Sequence, residues 1–168
     1  NVVSGEQTGW QTAGGANVVS GEQTGWQIAG GFNYATAQTG MQLAPINVAG
    51  GAHGLQLSVI NIGGEVDGVQ FGVVNVARKV KGLQFGVLNL GGEVEGESIG
   101  VLSLVRNGQL HAEAWSSDVS LANAGIKLGS RRVYTLFAAG YGSPARSGHI
   151  WTTGAGLGVH FPLGERWH

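Results

Sequence analysis

The chain is predicted to be all-β, and three observations carry that prediction. Asn recurs at Asn1, Asn17, Asn33, Asn47, Asn61, Asn75 and Asn89, so that two spacings of 16 residues are followed by spacings of 14. A fixed period with fixed chemistry marks one supersecondary unit copied many times. Gly supplies 32 of the 168 residues, a composition that costs a helix about 1 kcal/mol at each interior Gly. Between the glycines stand Val, Ile, Leu and Phe in short alternating runs that suit strands.

Composition excludes several function classes. Only 11% of residues are Asp, Glu, Lys or Arg, far below the usual share of a soluble domain, so the surface is weakly charged. A net charge of −1, with basic residues scattered apart from Arg78-Lys79-Val80-Lys81 and Arg131-Arg132, offers no field to hold nucleic acid. The absence of Cys removes disulfides, thiolate metal sites and cysteine nucleophiles. No apolar run approaches the roughly 18 residues of a membrane helix. The chain opens inside a repeat, so a targeting segment is expected to lie outside it.

Residues 1–102 form the repeat region. Its first 32 residues are two 16-residue units identical at fourteen of sixteen positions. They are longer and more polar than the rest, and Trp10, Thr12, Gly14 and Ala16 make a poor apolar band. The 14-residue units follow, each with Gly-x-Gln seven residues before the next unit's opening Asn region, as in Gly68-Val69-Gln70 and Gly82-Leu83-Gln84. In the unit starting at Gly82, Leu83, Phe85 and Val87 share one strand face and Gln84 lies on the other. The phase slips at Val87-Leu88, which requires a bulge or a corner just before Asn89. The segments 63–67, 77–81 and 91–95 read as turns that hold most of the charge.

Residues 103–168 read as longer antiparallel strands continuous with the repeats. They are placed near 109–116, 118–129, 131–142 and 148–163, with a hairpin turn at Asn107-Gly108 and a turn over 142–146. The last strand alternates cleanly. Trp151, Thr153, Ala155, Leu157, Val159, Phe161 and Leu163 share one face, and Thr152, Gly154, Gly156, Gly158 and His160 share the other.

Two architectures satisfy this pattern. The leading one is an antiparallel outer-membrane-type β-barrel or meander built from 14–16-residue strand-turn repeats, its Leu, Phe and Val facing lipid. Gln42, Gln56, Gln70 and Gln84, with Gln11 and Gln27, would then line an uncharged Gln/Asn/Gly lumen, and the chain would act as a pore. The alternative is a parallel β-solenoid with a C-terminal antiparallel hairpin cap. There Leu83, Phe85, Val87, Leu88, Leu90 and Val94 would lie inside, and Asn17, Asn33, Asn47, Asn61, Asn75 and Asn89 would stack as a structural ladder at a corner. Stacking would also alternate charge down the columns Glu65, Lys79, Glu93 and Asp67, Lys81, Glu95. The alternating last strand favours the barrel.

The run Val66 to Leu102, containing Gly-Val-Gln-Phe-Gly-Val-Val-Asn-Val-Ala-Arg-Lys-Val-Lys-Gly-Leu-Gln-Phe-Gly, resembles the surface-repeat proteins of bacterial cell envelopes. The segments Ile99–Gly108 and Arg132–Tyr141 are similar in kind to that family's closing segments, so the resemblance covers nearly the whole chain. It implies export, an envelope or outer-surface location, and no established enzymatic activity, and the location expected for the chain is the bacterial outer membrane or cell surface. Membrane lipid is the partner expected of the barrel, and self-assembly or envelope protein partners are those expected of the solenoid.

Candidate chemistry is sparse, and no catalytic residue, cofactor or metal is predicted. Gly154-x-Gly156-x-Gly158 alternates as a strand does and opens no helix, so it is no phosphate loop. His111, Glu113 and Trp115 share a strand face and could form a small acid-base or metal site, but a solvated polar stripe is the favoured reading. Asp118 beside Ser116-Ser117 reads as a turn. Glu93, Glu95 and Glu97 are read as a solvated turn in preference to a cation-binding row.

Overall fold

The computed structural model describes residues 1–118, 120–142 and 148–161. The predicted turn over 142–146 therefore lies outside the described residues from Ser143 onward, as do Leu163 and His168. Among the described residues there are thirteen strands: β1 (Val2–Val3), β2 (Gln7–Ala13), β3 (Ala16–Ala29), β4 (Phe32–Leu43), β5 (Ile46–Leu57), β6 (Ile60–Phe71), β7 (Val74–Val80), β8 (Leu83–Val94), β9 (Glu97–Val105), β10 (Gln109–Trp115), β11 (Ala122–Gly129), β12 (Val133–Gly142) and β13 (Ile150–Val159). No described helix is long and apolar enough to cross a membrane.

The repeat region is a parallel β-solenoid. Asn47 pairs with Asn61, and Gln56 with Gln70, each residue lying over its equivalent one repeat away. The same register runs from β3 through β9. This corrects the antiparallel barrel or meander. The charge pattern supplies a physical reason: stacking sets Glu65 opposite Lys79, and Lys79 opposite Glu93, pairings that a reversal at every unit would abolish.

Each coil has three short sides, seen clearly at 60–73. The first runs from Ile60 to Gly63 and the second covers Glu65 and Val66. The third runs from Val69 to Phe71. Corners fall at Gly64, Gly68 and Gly72-Val73. Gly is required at the second corner, where φ is +118° at Gly40 and +130° at Gly54. A Cβ at Gly54 would also overlap the carbonyl oxygen of Gly40 in the coil below, so close stacking and left-handed backbone together exclude a side chain. The 16-residue units place their extra residues at corners: Val19 pairs with Ala35 but Glu22 with Ala37, leaving Ser20 and Gly21 opposite Thr36 alone.

The interior is inverted relative to the expected solenoid and keeps the sidedness of the expected barrel, with Gln and Asn inside and Phe outside. Asn61, Gly63, Val66 and Gln70 point inward and are buried, whereas Ile62, Asp67 and Phe71 are exposed. Of the residues expected inside the alternative solenoid, only Val94 is buried; Leu83, Leu88 and Leu90 are half-buried, and Phe85 and Val87 are exposed on the outside. The cause is size. Three sides of two to four residues enclose so little space that Gly63 lies against both the Val66 side chain and the Gln70 amide. The pairs Ala49/Ala52, Gly63/Val66, Ala77/Val80 and Gly91/Val94 fill this slot in successive coils, and in earlier coils Gln23 and Gln38 take the place of Val66. The large apolar side chains have no room inside.

The terminal sheet is antiparallel in the order β10-β11-β12-β13. Its strands agree with the predicted ones to within a few residues, and the last strand alternates as expected, with Leu157 opposite Thr135 and Gly156 opposite Leu136. Asn107-Gly108 does turn the chain, with the Gly108 N–H donating to the Val105 carbonyl at 3.0 Å. The turn delivers β10 to β11 instead of folding it back on β9. The sheet rests on the last coil through Thr135, whose hydroxyl donates to the Gly100 carbonyl at 2.7 Å, and Ser130, which donates to Glu97 at 2.6 Å. It does not close into a barrel among the described residues.

Candidate functional site

The residues that recur in every repeat are the amides, and their geometry is structural. Each Asn donates to the next: Asn33 to Asn47 at 3.1 Å, Asn61 to Asn75 at 2.9 Å, Asn75 to Asn89 at 2.8 Å. The second N–H of Asn61 reaches the Phe71 carbonyl at 3.0 Å, holding in place the strand end that leads into the corner. The phase slip before Asn89 thus marks a corner, and the Asn beside it satisfies a backbone acceptor that would otherwise be buried alone.

The Gln column runs the other way. Gln56 donates back to Gln42 at 2.8 Å, Gln70 back to Gln56 at 2.8 Å and Gln84 back to Gln70 at 2.9 Å. Gln42, Gln56, Gln70 and Gln84 are buried and line no lumen, which corrects the pore reading. The two ladders carry oppositely directed amide dipoles, so their sum along the axis is largely cancelled. Both end in serine: Asn89 donates to Ser103 at 3.3 Å, and Ser98 donates to Gln84 at 3.4 Å. A hydroxyl can serve as acceptor in one column and donor in the other. Asn107 then caps the last coil, its amide accepting from the Val94 N–H at 2.8 Å and donating to the Val94 carbonyl at 3.2 Å.

Charge is segregated. In the solenoid, Glu22, Glu65, Asp67, Lys79, Lys81, Glu93 and Glu95 belong to the side between the first and second corners, and Arg78 stands at the first corner. Lys79 lies 2.9 Å from Glu95 and 3.7 Å from Glu93. The hydrogen bond to Glu95, aided by the Glu93 charge, raises the Lys79 pKa, and the same bond lowers that of Glu95. Glu97 is the exception, lying on the third side of the last coil. Its carboxylate is held by Ser130 and lies 3.9 Å from Arg132. The Glu93, Glu95 and Glu97 row is therefore spread over ion pairs with Lys79 and Arg132.

The His111, Glu113 and Trp115 face is likewise committed. Glu113 pairs at 2.5 Å with Lys127, which also sits 4.9 Å above the Tyr134 ring. The hydrogen bond to Glu113 raises the Lys127 pKa. Lys127 stands directly opposite His111 in the ladder, so a cation occupies the ground where a metal or a proton relay would need an open ligand. Sequence reasoning did not anticipate Lys127, because only the β10–β11 register brings it across. Asp118 sits in the turn closed by the Ser117 N–H donating to Ser120 at 2.9 Å. Gly154, Gly156 and Gly158 lie in β13 as a strand. Among the described residues no group of three His, Cys, Asp or Glu could hold a metal ion.

What remains is surface. The first and third sides of the coils, and the corner joining them, carry Ile, Val, Leu, Phe and Trp on the outside. Trp10 stacks on Trp26 at 4.8 Å and Phe71 on Phe85 at 5.1 Å between ring centres. One cleft of about 290 Å³ joins this surface to the terminal sheet, lined by Leu104, Leu110 and Leu128 among others. No family model matches the chain, and no curated protein or solved structure is found to be similar to it.

Proposed function

We propose that this chain is a non-catalytic β-solenoid of the bacterial outer membrane or cell surface that works through its outer faces, by binding partners or by assembling. The observation that supports this reading is the disposition of the repeat. The amides, the only polar groups kept from coil to coil, are consumed in internal ladders, while the outside alternates between one charged side and two uncharged ones. A repeat protein with a spent interior and an extended, regular exterior offers area, not a reaction centre. The resemblance of Val66–Leu102 to envelope surface repeats supports the location.

Fractionation of cells producing the chain tests the reading. Its expected place is the outer envelope, where antibody or protease reaches it on intact cells. Recovery in the cytoplasm after export-competent expression would contradict it. Conductance in planar bilayers is expected to be nil, because no lumen runs between the amide ladders.

A further inference from the structure

We infer that the two uncharged sides of the solenoid form a lipid-inserting ridge that seats the protein on the hydrocarbon of a bilayer leaflet. The inference deepens the surface-scaffold reading and rests on it. At the crest stand Val59, Val73, Val87 and Val101, with exposures of 53%, 47%, 51% and 55%. These are the third-corner residues of successive coils, so they form one straight line parallel to the axis. Phe71 and Phe85 flank the crest on one side, and Leu88 and Leu90 on the other.

Three features select acyl chains as the occupant. Charge complementarity comes first: from Gly25 to Leu90, every ionisable side chain of the coils except the Tyr34 phenol lies on the opposite side or, for Arg78, at the corner that bounds it, and Glu97 in the coil of Val101 is the one carboxylate on the ridge's third side, so the ridge from Val59 to Val87 complements an uncharged phase. Second, the coils leave no free strand edge along the ridge, because each strand pairs with the coils above and below it. That is the condition for backbone to enter hydrocarbon, where an unpaired N–H or C=O costs several kcal/mol. Third, the surface is convex. A second copy could cover one side of it but would leave the valine crest and the other side in water, whereas acyl chains conform to both.

The four coils that carry the valine crest span about 15 Å at roughly 4.8 Å spacing, and two sides of about 10 Å each give an area of about 300 Å², the size of an exposed patch that is often functional. The apolar face of the terminal sheet continues it, since Leu104 of the last coil meets Leu110 and Leu128 in one cleft. The geometry is that of an amphipathic element lying in the interface with its charged side up. The charged side carries both signs, so attachment does not call for anionic lipid.

Flotation of the purified full chain with vesicles of pure phosphatidylcholine tests the inference, with gel filtration run in parallel. The expected result is co-flotation that survives about 0.5 M salt, where surface charge interactions are screened. The double variant Val73→Glu/Val87→Glu is expected to lose about tenfold or more in partitioning while keeping its circular dichroism and melting temperature. Arg78→Gln/Lys81→Gln, on the charged side, is expected to float as the parent does. Three results would overturn the inference: a parent chain that stays with the soluble fraction, binding that vanishes in salt or needs anionic lipid, or a stable dimer that the ridge variant splits into monomers. A chain found on the cell surface that does not float would refute the ridge and leave the scaffold reading standing.

Discussion

The solenoid and the terminal sheet are built from the same alternation of apolar and small polar residues, yet they use it differently. In the coils the polar members turn inward and are satisfied by their own copies one rung away, as Asn61 is by Asn47 and Asn75. In the sheet there is no copy one rung away. Its polar face is satisfied by unlike partners such as Glu113 and Lys127, and its apolar face stays largely open, with Leu110 at 72% and Leu157 at 67% exposure. Burial of an amide is tolerable where partners are supplied, and in these two ladders the repeat supplies them. The difference teaches that repetition, more than hydrophobicity, sets which face of a strand is inside.

Removing a ladder amide should break the contrast most strongly. Asn61→Ala leaves the Phe71 carbonyl, the Asn47 amide and the Asn75 oxygen without their partner, and a loss of about 3 kcal/mol is expected from denaturant unfolding. Asn123→Ala in the sheet, where the amide bonds only nearby carbonyls, should cost about 1 kcal/mol. Glycine gives the next largest difference. Gly54→Ala meets φ +130° and the Gly40 carbonyl, for an expected cost of about 2 kcal/mol. Gly156→Ala in β13, with open space around its Cβ, should be neutral or slightly stabilising.

Smaller effects sharpen the boundary between the two regions. Thr135→Val removes the bond to the Gly100 carbonyl and should cost about 1 kcal/mol, with faster amide exchange confined to β10–β13. Lys79→Met should act mainly on titration. Glu95 has a lowered pKa because of Lys79, so the pair's stabilisation is present above the ordinary carboxylate pKa and is lost as pH falls through the lowered one. In the variant the Glu95 carboxyl should titrate closer to its ordinary value by NMR, with Lys81 and Arg131 still lowering it, and the global stability should barely change, since the pair is exposed.

Much of this fold was legible in the residues. The asparagine spacing exposed the repeat, the phase slip before Asn89 located a corner, and the columns Glu65, Lys79, Glu93 forecast the parallel stacking that is found. The inside of the coil was not legible from hydropathy. Alternation states that Phe85 and Gln84 lie on opposite faces but not which face is enclosed, and the usual weighting of apolar residues places Phe85 within. A signal for the right choice was present in size: Gly63 with Val66, Ala77 with Val80 and Gly91 with Val94 keep one slot small in the later coils. Lys127 on Glu113 and Ser130 on Glu97 depend on pairings between distant segments that no local pattern announces.

The central claim is that Asn and Gln form the interior and the large apolar residues the exterior. Exchange of side-chain amide protons in the unmodified, ¹⁵N-labelled chain tests it directly. The protons of Asn47, Asn61, Asn75, Gln56 and Gln70 are expected to exchange orders of magnitude more slowly than those of a solvated model amide. Exchange of all of them at the rate of a solvated amide would contradict the ladders and return the glutamines to a wet lumen.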